Sequence, residues 1–180
     1  MPVRHTNRTA HCMVTLLSFA ALSLFVDKAR PQLPQQSQEQ TKFSLEEPIT
    51  HPMPIPEDVL NVLRQRTDIS TCETRPEERN KIPPSWYEAS RVRLDGGREE
   101  DLVVKARNAC MWGPNLGPFW VFRSNREGHE LVLSTVAVSL EVLRSRTNGL
   151  RDIRTGAIVT SEPAYSIYKF DGHTTYRLAN

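Results

Sequence analysis

The spacing of apolar residues changes twice along the chain, and each change marks a different kind of segment. An uninterrupted apolar run covers residues 14–26, a polar stretch rich in Pro and Gln follows, and short apolar runs fill the second half. Several of these later runs alternate with polar residues, as in β-strands, whose successive side chains point to opposite faces. The pattern predicts a mainly β domain behind a non-globular N-terminal region.

The predicted strands lie between residues 90 and 176. Ser90–Leu94 alternates, with Val92 and Leu94 inward and the arginines outward. The other runs are Leu102–Val104, Phe119–Phe122, Leu131–Leu133, Ser139–Leu143, Ala157–Thr160, Tyr165–Phe170 and Thr174–Tyr176. Turn residues stand between several of them, at Asn125–Gly128, Asn148–Gly149 and Asp171–Gly172. Short strands at hairpin spacing predict an antiparallel sheet or sandwich.

One short helix is predicted before the strands. Pro56–Arg66 begins with Pro and two acids and ends with arginines, which suits the helix dipole. Val59, Val62 and Leu63 fall on one face. The expected fold is therefore mainly β (α+β), as a single domain over residues 56–180 with one N-terminal helix.

Residues 1–29 have the pattern of an export signal. Arg4 and Arg8 precede the apolar run, which ends at Val26 and is short for a spanning helix. The interpretation is a signal peptide or an uncleaved anchor, with a periplasmic or extracellular domain. Residues 30–55 are interpreted as a disordered Pro/Gln-rich linker. Removal of residues 1–50 is accordingly expected to leave thermal stability unchanged.

Charge and composition indicate which classes of binding partner to expect. The 180 residues carry a formal net charge of +2, and 38% of them are hydrophobic. A nucleic-acid binder usually has a strongly basic face, so no nucleic-acid partner is expected. Membrane contact is expected only through an uncleaved leader.

The cysteines predict a disulfide. Cys12 lies in the leader, which leaves Cys72 and Cys110 in the exported part. Two cysteines in an exported chain are most simply paired. The alternative is a cysteine nucleophile with His129 or His173 as base, although no flanking pattern supplies an oxyanion site.

An acidic turn enters one predicted strand at Leu94–Val104. This segment resembles the calcium loops of FG-GAP-type repeats, whose pattern is close to D-x-D-G-D-G-x-x-D-L, and the resemblance implies Asp95 and Asp101 as metal ligands. Two further ligand positions hold Arg93 and Gly97, which offer no carboxylate. Calcium takes about six to eight oxygen ligands. We therefore expect a charged hairpin turn that does not bind calcium tightly.

The remaining motifs predict no particular chemistry. The histidines form no H-x-x-x-H or H-E-x-x-H pair, and the chain has no G-x-S-x-G, phosphate-binding or dinucleotide-binding motif. No catalytic residue, resident metal or cofactor is predicted. An enzyme is not the expected class, although a hydrolase of unrecognised type stays open.

The loop Met111–Pro118 is the predicted partner-binding segment. It combines Trp112 and Asn115 with two Gly and two Pro, and aromatic residues concentrate at binding hot spots. The alternative is that Trp112 pins the loop.

A second resemblance covers roughly residues 92–176. The stretches Phe119–Phe122, Ser145–Ile153 and Tyr168–His173 are together similar to small uncharacterised exported bacterial proteins, which implies no activity. The leading hypothesis is a β-rich binding or structural module of the cell envelope, with an envelope protein or glycan as partner. Alternatives are an inhibitor of an envelope enzyme that inserts the Trp112 loop, and the hydrolase.

Overall fold

The computed structural model describes residues 39–66, 82–97 and 100–179. The chain divides into two units, residues 1–36 and 37–180, and every described residue belongs to the second. The predicted leader and Cys72 lie outside the described residues. The described elements are, in chain order, β1 Lys42–Ser44, α1 Glu57–Gln65, β2 Tyr87–Val92, β3 Asp101–Ala106, β4 Gly117–Asn125, β5 Gly128–Ala137, β6 Ser139–Thr147, β7 Leu150–Val159, β8 Glu162–Phe170 and β9 Tyr176–Leu178.

The strands form two antiparallel sheets, which confirms the predicted fold class. One sheet has the order β1-β6-β7-β8-β9 and the other β2-β3-β4-β5. The chain passes from one sheet to the other at Val138, between β5 and β6. Its N–H donates to Gly156 and its carbonyl accepts from Leu45, both at 2.8 Å. This residue therefore links strands while it changes sheets.

Two hydrophobic cores lie on opposite faces of the four-stranded sheet. The first is shared by strands of both sheets and includes Phe119 and Val121 of β4. The second lies under α1 and includes Trp120 and Phe122 of the same strand. Because successive side chains of a strand point to opposite faces, β4 contributes alternately to the two cores. The order of layers is helix, four-stranded sheet, five-stranded sheet.

The predicted helix is confirmed, with a small change in its buried face. Val59, Leu60 and Leu63 are buried against the four-stranded sheet, whereas Val62 packs at the margin of the same core. A Pro at the N-terminal boundary and acids in the first turn begin the helix as predicted.

The prediction of a disordered linker over residues 30–55 is wrong for residues 39–55. β1 pairs with β6 in this segment, and Phe43, Leu45 and Ile49 are at most 5% exposed. Phe43 and Leu45 alternate with polar residues over only five positions, and prolines follow soon after, so the sequence pattern there is too short to predict a strand. The domain begins before residue 42, and the expectation that residues 1–50 are dispensable is corrected below.

A buried lysine holds this segment in place. The Nζ atom of Lys105 on β3 donates to the carbonyls of Ser44 at 2.9 Å, Leu45 at 3.1 Å and Glu47. Its charge is balanced by Glu88 of β2, whose carboxylate lies 3.5 Å away. Three backbone carbonyls of residues 44–47 are therefore satisfied by a side chain that lies about 60 residues away along the chain. No local sequence pattern encodes this contact.

Glu39 forms a second connection between the N-terminal segment and the sheets. Its carboxylate accepts the backbone N–H of Arg93 at 2.6 Å and pairs with the guanidinium of Arg151 at 3.2 Å. The same guanidinium donates to the carbonyls of Val142 and Leu143, where the pairing of β6 with β7 is irregular. The first described residue is thus tied to both sheets.

Among the described residues, no helix combines the length and apolar character that crossing a membrane requires.

Candidate functional site

The two acids of the predicted calcium turn have structural partners. Asp95 accepts the N–H of Gly97 at 2.5 Å. Asp101 is 2% exposed, and its two oxygens accept the N–H groups of Leu94 at 2.7 Å and Ser124 at 2.9 Å. Burial raises the pKa of Asp101, and the two N–H donors oppose that effect. These contacts support a structural turn that links β2, β3 and β4, and the absence of tight calcium binding stays a prediction.

His129, the candidate base, supports the contact between helix and hairpin. Its ring Nδ1 and its backbone N both lie 2.9 Å from the Asp58 carboxylate of α1. Burial raises the pKa of Asp58, but hydrogen bonds from His129 outweigh it, and the net pKa is lowered. The neighbouring Gly128 has a φ of 131°, which side chains rarely allow, and a Cβ there would also stand 2.7 Å from the same carboxylate. His129 therefore has a sufficient structural role.

Cys110 lies exposed in the 3₁₀ turn Ala109–Met111. Because Cys72 is outside the described residues, the Cys72–Cys110 disulfide stays a prediction. His173, the other candidate base, is exposed, and its backbone N–H donates to Asp171 at 2.9 Å.

Trp112 is held by the fold at the base of its loop. Its indole Nε1 donates to the carbonyl of Ala106 at 3.2 Å, and its ring packs against both cores. A Cβ on Gly117 would lie 3.0 Å from this ring. These contacts favour the pinning role, because insertion into a partner would break them. Asn115 lies exposed at the loop tip with a φ of 62°, and partner binding by Trp112 and Asn115 stays a prediction.

The five-stranded sheet has one face against the core and one face open. Along β8, the buried or half-buried residues Ser166, Tyr168 and Phe170 alternate with the exposed residues Tyr165 and Ile167. The strand register extends this alternation across β1, β6 and β7. We call the open side the outer face; it includes Lys42, Ser44, Ser139, Glu141, Arg154, Gly156, Tyr165 and Ile167.

A depression of about 300 Å³ lies on the outer face, across β1, β6, β7 and β8. One wall is the ring of Tyr165, which lies 5.4 Å from the guanidinium carbon of Arg154. Glu141 stands between two cations, since it bonds Arg154 and lies 3.8 Å from the Nζ atom of Lys42. Gly156 contributes a position without a side chain among these groups. The depression thus combines an aromatic surface with paired charges.

The end of the β7–β8 hairpin extends beyond its neighbouring strands. The pairing of β6 with β7 stops at Gly156, and that of β8 with β9 begins at Tyr168. Residues 158–164 are all exposed, so this ribbon has no cover on either face. We call residues 157–164 the hairpin tip. Sequence reasoning missed it, because its turn residues Thr160 and Ser161 are neither Gly nor Asn.

The exposed apolar side chains concentrate on this hairpin. Six large apolar side chains are exposed among the described residues, and four of them, Ile158, Val159, Tyr165 and Ile167, belong to β7 and β8. Clustered exposed apolar residues mark interaction surfaces more often than single ones do. The sequence pattern predicted Tyr165–Phe170 of β8, but it did not indicate that β7 and β8 extend beyond their neighbouring strands.

The described ranges bring together no group of three or more His, Cys, Asp or Glu side chains that could hold a metal ion. The described residues therefore offer two binding features, the hairpin tip and the depression, both built on the five-stranded sheet. Comparison of the chain with protein-family models, curated proteins and solved structures finds no match.

Proposed function

We propose that this protein is an exported binding module of the cell envelope, which contacts a protein partner through the hairpin tip. The observation that carries the proposal is the exposure of Ile158 and Val159, at 60% and 55%, on a ribbon that projects past the sheet. An isolated two-stranded ribbon is only marginally stable in water. Contact with a partner supplies the cover that the fold does not.

The side chains of the hairpin tip indicate what kind of partner surface it can bind. Full burial of Ile158 and Val159, which are already partly covered, contributes about 1–2 kcal/mol for each side chain. Glu162 is the single ionisable residue of the tip. Pro163 has no N–H, which disfavours addition of a further strand along β8. The tip therefore suits an apolar cleft with a basic group at its rim, reached by side chains rather than by backbone pairing.

Export is supported by the sequence of the leader, with Arg4 and Arg8 before the apolar run of residues 14–26. An inhibitor of an envelope enzyme is the second candidate. A narrow two-stranded wedge suits insertion into a cleft, and the hairpin tip is better placed for this than Trp112, whose indole is already bonded to Ala106.

The test is cross-linking in the envelope fraction of the source cells. The double variant Ile158→Ser/Val159→Ser is compared with wild type and with Val136→Ser. Val136 is equally exposed, at 61%, but lies on β5 outside the tip. Loss of the cross-linked partner in the tip variant alone supports the proposal. An equal yield from all three proteins, at matched melting temperatures, contradicts it.

A further inference from the structure

We propose that the depression on the outer face binds a neutral saccharide, at a site separate from the hairpin tip. The inference does not depend on the proposed protein contact. It rests on three features of the depression: an exposed aromatic wall, charges that neutralise one another, and a floor without a side chain.

The wall is the ring of Tyr165, which is 64% exposed. The Arg154 guanidinium covers one side of the ring at 5.4 Å, in the geometry of a cation–π contact. That contact fixes the ring without enclosing it. A fixed, exposed aromatic face is a surface for the C–H groups of a sugar ring, and its hydroxyl provides a polar edge.

Three of the four charged side chains that line the depression are paired with one another. Glu141 bonds Arg154 and lies 3.8 Å from the Nζ atom of Lys42, and Glu47 also lines the depression. Two cations and two carboxylates give a formal sum of zero. Such a site has no excess charge for a phosphate or a metal ion. Its charged groups instead place hydrogen-bond donors and acceptors side by side. Adjacent hydroxyl groups of a sugar can bond to both at once.

Gly156 forms part of the floor. A Cβ at this position would lie 2.6 Å from the Oγ atom of Ser139 and 3.5 Å from the Tyr165 ring. The Ser139 hydroxyl and the Tyr165 ring therefore meet over Gly156, in space that a side chain there would need. The absence of that side chain leaves the Ser139 hydroxyl beside the ring, where it can bond a ligand that rests on the tyrosine. At about 300 Å³ the depression is at the small end of ligand sites, which suits one sugar ring.

The test is an NMR titration of the folded protein with chitobiose, cellobiose and maltose, and separately with inorganic phosphate. We expect at least one disaccharide to shift the amide signals of Ser139, Gly156 and Tyr165. Tyr165→Ala should weaken that binding about tenfold, because the stacking surface is lost. Tyr165→Phe should keep the affinity within about twofold, since it keeps the ring.

Ile167→Ala is the matched control, because Ile167 shares the outer face and strand β8 but does not line the depression. It should leave the titration unchanged. The inference is overturned if none of the three saccharides shifts these signals, if phosphate shifts them instead, or if the shifts map elsewhere. The hairpin-tip variant Ile158→Ser/Val159→Ser should titrate like wild type, so the two proposals can fail separately.

Discussion

At the scale of single residues, the ammonium group of Lys105 connects the N-terminal segment to the four-stranded sheet. It is 3% exposed and faces three carbonyls and Glu88. Burial lowers its pKa, although Glu88 opposes the effect. Lys105→Met should lower the free energy of unfolding by about 3 kcal/mol, because Glu88 and the carbonyls lose their partner.

Urea unfolding measures this change, and Lys42→Met provides the control. Lys42 also pairs with a glutamate, but it is 77% exposed, so its removal should change stability by about 0.5 kcal/mol or less. Equal effects of the two substitutions would show that the Lys105 contacts contribute nothing beyond those of a surface ion pair.

Two hairpin turns of the five-stranded sheet differ in how well their residues tolerate a positive φ. Asn148 and Gly149 between β6 and β7 have φ values of 51° and 89°, and Thr160 and Ser161 between β7 and β8 have 48° and 73°. A β-branched residue at positive φ is strained. Thr160→Asn/Ser161→Gly should therefore raise stability by about 1 kcal/mol, measured as a higher melting temperature. An unchanged or lower value would contradict the assignment of strain to this turn.

Asp171 should stabilise the β8–β9 turn in a way that depends on pH. Its carboxylate accepts the N–H groups of His173, Thr174 and Thr175, and Arg177 lies 3.3 Å away. The hydrogen bond from His173 leads the causes that lower its pKa to about 2 from 3.8. The folded pKa is the lower one, so the stabilisation is present above pH 3.8 and is lost as the pH falls towards 2.

Melting temperatures between pH 5 and pH 2 check this prediction. Asp171→Asn should be less stable than wild type at pH 5 and should converge with it near pH 2. His173→Ala keeps the backbone donor and should follow the wild-type curve. Parallel curves for wild type and Asp171→Asn would rule out the proposed role of the ionised carboxylate.

At the scale of elements, β1 decides where the domain begins. Burial of Phe43, Leu45 and Ile49 contributes about 5 kcal/mol or more in total, against an overall stability of about 5–15 kcal/mol for a typical domain. A chain that begins at residue 51 should therefore be largely unfolded. A chain that begins at residue 37, where the second unit starts, should melt like the longer protein. Circular dichroism melting distinguishes the two, and a stable chain from residue 51 would contradict the role of β1.

The elements also show how far the sequence predicts this structure. Period-two runs and Asn-Gly or Asp-Gly turns identify most strands, because those signals are local. β1 was missed because its alternation covers only residues 42–46, and because Lys105, which bonds Ser44, lies far along the chain. The depression depends on register across four strands, so no single segment contains it.

At the scale of the whole molecule, the predicted disulfide joins Cys110 to a segment outside the described ranges. A Cys72–Cys110 bond would close a loop of about 38 residues and contribute about 4 kcal/mol in the chain-entropy estimate. Intact-mass measurement after alkylation without reductant should show neither cysteine modified in the exported protein. Addition of two alkyl groups would refute the pair and restore the thiol nucleophile as a hypothesis.

The unequal cover of the two sheets has a consequence for how this protein can evolve. Both faces of the four-stranded sheet are buried, and all six residues of β3 are, so a substitution there disturbs one core or the other. The five-stranded sheet carries its core on one side alone. Exposed positions such as Lys42 and Ile167 can change without loss of packing. Descendants of this chain can therefore acquire new specificities on the open face while the helix-covered sheet preserves the fold.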